Sequence, residues 1–139
     1  MNVNSLFKRL MLIDDDLIFL SVNKKLIQQL GMHSEAIMTF NNGPSALEYL
    51  MNQRIEIDSQ TCIILLDINM PGMNGWAFLE ALIESGISGH PNLHIYILSS
   101  SIDLRDKDLA RNYSFLKGYL VKPIRKDNLM EIIFDNQSS

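Results

Sequence analysis

The sequence is short of several things, and each shortage excludes a class of protein. One cysteine, Cys62, in 139 residues rules out an internal disulfide and any multi-thiolate metal site. Seven glycines and four prolines are too few for a low-complexity or collagen-like chain. Basic charge is in deficit: 12 Lys and Arg against 16 Asp and Glu leave a formal charge of −4. That balance argues against a protein that grips nucleic acid through bulk positive surface. No apolar run approaches the ~20 residues needed to span a bilayer. Residues 1–13 lead straight into Asp14, Asp15 and Asp16, which is not the pattern of a signal peptide. What is present is 47% hydrophobic and 20% charged, the composition of one packed domain. A soluble, cytoplasmic, single-domain protein is expected.

Short apolar runs alternate with helical patterns along the whole chain. Residues 9–13 form a run too short for a helix and read as a buried strand. Phe19, Val22, Leu26 and Leu30 then recur at helical spacing, and Gly31 supplies a stop. Residues 33–40 read as a second strand. Pro44 sits just inside the start of a helix carrying Ala46, Leu47, Leu50 and Met51. Residues 52–60 are polar and read as a loop. Residues 61–66 give the strongest strand signal and end on Asp67, followed by a turn-rich segment and a helix over 76–85 with Leu79, Leu82 and Ile83 on one face. Residues 94–98 form a fourth strand ending on Ser99. A more polar helix spans 103–113. A fifth strand over 118–121 ends on Lys122 and Pro123, and a last helix covers 128–134. Strand and helix alternating five times predict an α/β domain: a doubly wound, five-stranded parallel sheet covered on both faces.

In an open parallel sheet, ligands bind beyond the carboxyl ends of the strands. Those ends carry Asp14, Asp15 and Asp16 on the first strand, Asp67 on the third, Ser99 on the fourth and Lys122 on the fifth. Taken singly, each has a plain reading: an aspartate capping the next helix (Asp16 above all), a polar loop, a solvated lysine. Taken together they offer carboxylates, a hydroxyl and an ammonium to one crevice. Crowded carboxylates repel, and a hard divalent cation such as Mg2+ relieves the conflict with oxygen ligands. A metal between Asp15 and Asp67 leaves Asp67 an oxygen with which to attack a phosphoryl group. Mg2+ and Lys122 then neutralise charge on the transferred group, and Ser99 donates a hydrogen bond to it.

The segments 12–16, 65–75 (Leu-Leu-Asp-Ile-Asn-Met-Pro-Gly-Met-Asn-Gly), 97–100 and 118–123 together resemble the receiver domain of two-component response regulators, of the chemotaxis-regulator type. The resemblance covers residues 8–134 and leaves 1–7 and 135–139 as short tails. It implies a flavodoxin-like receiver fold with strand order 2-1-3-4-5. It implies that Asp67 is the phosphorylated aspartate, and that Asp14, Asp15, Asp67 and the main-chain carbonyl of Asn69 organise Mg2+, Asp15 directly and Asp14 largely through water. Lys122 matches the lysine that pairs with the phosphoryl group, Ser99 the switch hydroxyl and Tyr119 the switch aromatic. Asn69 and Ser101 match positions that tune dephosphorylation. The sequence departs from the family at Ser100, where a small apolar residue is usual, and in a longer segment over 52–60.

The same resemblance implies a phosphorylated protein that catalyses its own phosphorylation and slow dephosphorylation without being a dedicated enzyme. Its partners would be a sensor histidine kinase or a histidine phosphotransfer protein, and a separate effector, because the chain reaches Ser139 only a few residues past the last helix. A homodimer formed on phosphorylation is compatible with it, and neither nucleic acid nor a membrane is a direct partner. In the expected switch, Ser99 moves to the phosphoryl group and Tyr119 rotates into the volume vacated. Two alternatives stand beside this reading. One is a haloacid-dehalogenase-like aspartyl phosphatase using Asp14-x-Asp16. The other is a receiver-like binding module that is never phosphorylated. The lone Cys62 reads as an inert core thiol, and His33, His90 and His94 are not spaced as a metal set.

Overall fold

The computed structural model describes residues 8–100 and 104–134, without the side chains of 54–56. The expected tails (1–7 and 135–139), Ser101 and the start of the helix expected from 103 lie outside the described residues. Five strands, β1 (Lys8–Ile13), β2 (Ile37–Phe40), β3 (Thr61–Asp67), β4 (Leu93–Ser99) and β5 (Leu116–Val121), pair in parallel in the order β2-β1-β3-β4-β5. The helices are α1 (Leu17–Gln29), α2 (Gly43–Asn52), α3 (Arg54–Ser59), α4 (Gly75–Ser85), α5 (Leu104–Ala110) and α6 (Lys126–Phe134).

The strand period of two explains how one short sheet builds two cores. Met11 and Ile13 of β1 and Ile64 and Leu66 of β3 point to one face, where Ala46 and Leu50 of α2 and Phe78, Leu79 and Leu82 of α4 cover them. Leu10, Leu12, Ile63 and Leu65 point to the other, against Leu20 and Ile27 of α1 and Leu129, Ile132 and Ile133 of α6. β3, at the centre, is buried along nearly its whole length. β5, an edge strand, contains no fully buried residue.

Helix ends follow local chemistry. Asp16 caps α1, its carboxylate accepting from the amides of Ile18 (3.0 Å) and Phe19 (3.2 Å). Asn42 caps α2 by accepting from Ser45 N–H at 2.8 Å, with Pro44 in the first turn. Asn74 caps α4 in the same way through Ala77, and Gly86 ends it in the left-handed region at φ 89°.

Four expectations need correction. Residues 52–60 are not a loop: they hold the end of α2 and the short α3, whose Ile57 is buried in the core. Burial of Ile57 docks a short helix in a mostly polar stretch, a tertiary effect that composition hides. The second strand is shorter than 33–40, because residues Ser34–Ala36 form a 3-10 turn before β2. On α1 the buried stripe runs through Leu20, Asn23 and Ile27, leaving Val22 exposed with Phe19, Leu26 and Leu30 at its margins. On α4 Phe78 is buried where Ile83 was expected, and Ile83 faces outward. Both helices have apolar residues on more than one side, so spacing alone does not select the face.

Candidate functional site

The parallel register carries the polar strand ends to one edge. Ile13 is paired with Leu66, Asp67 with Leu98 and Ser99 with Val121, so Asp14, Asp67, Ser99 and Lys122 follow within a residue of one another across four strand positions. Asp14, Asp67 and Ser99 are buried, Asp15 is exposed, and Lys122 reaches in with a side chain that is 17% accessible. One carboxylate oxygen each from Asp14, Asp15 and Asp67 lie within 4.8 Å of one another.

Of the two buried carboxylates, Asp14 is held but not fully satisfied. Asp14 accepts the Asp16 amide at 2.9 Å through Oδ1. Its buried Oδ2 lies 2.5 Å from Lys122 Nζ, yet it receives no well-directed hydrogen bond, so the contact is an ion pair by distance alone. Asp67 accepts the Asn69 amide at 3.2 Å and has Lys122 Nζ at 3.7 Å. Burial pushes the Asp67 carboxyl up to about 6. The Asn69 hydrogen bond opposes that shift, Asp14 adds to it, Lys122 opposes it, and Asp15 adds again. The backbone keeps the edge in place: Lys122 N–H donates to Ser99 C=O at 2.8 Å, before a cis peptide to Pro123, and Ile68 N–H donates to Leu98 C=O. Gly75 is required by a close approach behind Asp67. A Cβ there would meet Ile68 Cα at 2.7 Å and Asp67 O at 3.0 Å.

Among the described residues, Asp14, Asp15, Asp67, Ser99 and Lys122 therefore lie at the carboxyl edge. Asn69 is exposed in the loop after Asp67. Tyr119 lies on β5, its hydroxyl buried without a hydrogen-bond partner and Lys107 Nζ 5.9 Å from its ring centre. Its hydroxyl therefore points into the protein and not into solvent. The Asp16 side chain caps α1, and its amide donates to Asp14. One neighbour of the site was not expected: the ring of Phe19, whose centre is 4.5 Å from Lys122 Nζ. The sequence marks Phe19 only as apolar at helical spacing, and nothing local announces a partner more than a hundred residues away. Cys62 is buried, its thiol pushed up to about 12 by burial. Among the described residues the three aspartates are the metal-capable group, and no histidine joins them. No helix of the described residues is long and apolar enough to cross a membrane.

Comparison with known proteins agrees with this geometry. The family described as response regulator receiver domain matches residues 10–134. The nitrate/nitrite response regulator protein NarP of Escherichia coli is 31% identical over 125 residues, covering 90% of this chain and 53% of that protein. The putative two-component response regulator ARR21 of Arabidopsis thaliana is 29% identical over 133 residues, 94% of this chain and 19% of that protein. This chain thus spans about half the length, or less, of these curated relatives. Among solved structures, a two-component response regulator from Cytophaga hutchinsonii is 27% identical, with a TM-score of 0.77 over 91% of this chain and 96% of that one. One from Legionella pneumophila is 25% identical, with a TM-score of 0.74 over 94% and 98%. A parallel sheet in this strand order, an acidic cluster at its carboxyl edge and a family match over nearly the whole chain lead to one conclusion: the protein belongs to the response regulator receiver domain family.

Proposed function

We propose that this receiver, over residues 8–134, accepts a phosphoryl group on Asp67. The observation that carries the reading is the convergence of the Asp14, Asp15 and Asp67 carboxylates within 4.8 Å, with the Lys122 ammonium 2.5 Å from one and 3.7 Å from another. Receiver domains generally bind Mg2+, and the donor set here suits it: three carboxylates, one with a buried oxygen lacking a directed hydrogen bond. Asp14, Asp15, Asp67 and the carbonyl of Asn69 would hold the ion. When bound, it supplies positive charge where the transferred group spreads its negative charge over three oxygens.

The relatives are regulators of two-component signalling, which implies a kinase or phosphotransfer partner as donor. An Asp67 oxygen attacks phosphorus, the P–N bond of a phosphohistidine breaks, and the imidazole nitrogen leaves with the electron pair and takes a proton. Asp67 becomes an acyl phosphate. Lys122 pairs with the new dianion and Ser99 donates to one of its oxygens. The buried, unpartnered hydroxyl of Tyr119 suits a side chain with a second available position. Ser99 and Tyr119 together would pass the change to α5, β5 and α6, and from there to an effector or a second copy of the chain. We place this exchange in the cytoplasm, where a kinase donor draws on ATP. Membership in the receiver family removes the phosphatase alternative. The unphosphorylated module remains as the opposite outcome of the test.

The test is mass spectrometry of the intact chain after treatment with acetyl phosphate. A single added phosphoryl group is expected in Mg2+, none in excess EDTA, and none on Asp67→Ala. Label retained by Asp67→Ala, or undiminished in EDTA, overturns the assignment.

A further inference from the structure

Lys122 has three neighbours, and they do not agree on where its ammonium should be. Asp14 Oδ2 is at 2.5 Å, Asp67 Oδ1 at 3.7 Å, and the Phe19 ring centre at 4.5 Å. The nearest, Asp14, is a carboxylate of the acidic cluster. Any cation held by that cluster competes with the ammonium for Asp14, so this pair is not a fixed anchor. The ring is one. The negative face of an aromatic ring attracts a cation whatever the state of the neighbouring carboxylates, and more strongly where water is largely excluded. The ammonium side chain is only 17% accessible.

Phe19 is also fixed from both sides of its own backbone. Its N–H donates to the capping carboxylate of Asp16 at 3.2 Å, and its carbonyl accepts from Asn23 Nδ2 at 2.9 Å. The second bond accounts for Asn23, one of the few buried polar residues among those described. The sequence Asp14-Asp15-Asp16-Leu17-Ile18-Phe19 therefore serves two ends of one site. Its first residues give carboxylates, and its last, one helical turn later, reaches back to the cation that faces them.

We propose that Phe19 is a positioning residue for phosphoryl acceptance, its ring face holding the Lys122 ammonium within reach of Asp67. The proposal rests on the reading of Asp67 as phosphoacceptor. It differs from a packing role in one respect: leucine fills a comparable apolar space but has no ring face.

The experiment compares the full chain with Phe19→Leu and Phe19→Tyr, with thermal unfolding of each as the control for folding. The first readout needs neither metal nor phosphodonor. The ε-methylene protons of Lys122, beside an aromatic face, resonate upfield of an ordinary lysine; Phe19→Leu should return them downfield and Phe19→Tyr should keep them upfield. The second readout is the rate of labelling by acetyl phosphate in saturating Mg2+. Phe19→Leu should be slower by about fivefold, the scale of one partly desolvated cation–ring contact, and Phe19→Tyr should recover most of the rate. Unchanged Lys122 resonances in Phe19→Leu, or Phe19→Tyr labelling as slowly as Phe19→Leu, would overturn the proposal. A wild-type chain that takes no label sinks the phosphoacceptor reading and the positioning role with it, while the resonances still report whether the ring holds the ammonium.

Discussion

The two ends of the sheet handle polar groups in opposite ways. At the amino-terminal edge they are paired off. Arg9 donates to Gln60 Oε1 at 2.8 Å and to the Tyr49 hydroxyl at 2.5 Å. Asn92 donates to the carbonyls of Ile57 (2.7 Å) and Asp58 (3.3 Å), and its own amide donates to His90 Nδ1 at 3.0 Å. That last bond leaves Nε2 as the nitrogen carrying the proton toward Asp58, 2.9 Å away. The result stitches α3 to the loop before β4. At the carboxyl-terminal edge three carboxylates crowd together, one buried oxygen lacks a directed bond, and Asp67 holds its proton up to about pH 6. One edge spends its polar groups on stability and the other keeps them strained and available, the division expected of a fold whose function sits at one end.

That contrast can be broken from either side. The largest effect is expected from Lys122→Ala, which should slow acetyl phosphate labelling by about 100-fold, the scale of losing one preorganised charge at a reacting group; a rate within a few-fold of wild type would remove Lys122 from the chemistry. Asp67→Asn should stabilise the metal-free protein. The folded carboxyl is pushed up to about 6 from the ordinary 3.8, so between these values the folded state holds more of the proton than the unfolded chain. Asp67 therefore lowers stability as pH rises from about 4 to about 6, and the deficit persists above. Urea unfolding of wild type and Asp67→Asn should agree near pH 4 and diverge by on the order of 2 kcal/mol at pH 7. Equal pH profiles would mean that burial and its acidic neighbours do not raise the Asp67 carboxyl.

At the opposite edge, Asn92→Ala should cost about 1–2 kcal/mol in urea unfolding through its lost bonds to the α3 carbonyls, with the labelling rate unchanged. A slowed rate would show that the two edges are coupled. The smallest effect belongs to His90→Gln. Its partner Asp58 is largely exposed, so the loss should stay below about 1 kcal/mol.

Much of this molecule is legible in the chain. Residues 62–66 are wholly apolar because β3 is central and covered on both sides, and the strand ends on Asp67. Its terminal aspartate announces the site because a charge at the end of such a strand has only the sheet edge to occupy. The caps at Asp16 and Asn42 and the stop at Gly86 are local chemistry, readable within a few residues. The illegible parts depend on partners far away in sequence. α3 exists because Ile57 finds the core and Asn92 finds its carbonyls, and neither contact is visible in a polar nine-residue stretch. The faces of α1 and α4 were ambiguous because Val22 and Ile83 are as apolar as the residues that are buried.

The sequence by itself determined the alternation of elements, the family and the chemical types gathered at the strand ends, because periodicity, caps and charged termini are properties of neighbouring residues. Only the tertiary structure decided the distances: that Lys122 lies closer to Asp14 than to Asp67, that Phe19 faces its ammonium, and that Tyr119 hides its hydroxyl. Those depend on how β1, β3, β5 and α1 are brought together, and a balance among charges a few ångströms apart is set by that packing.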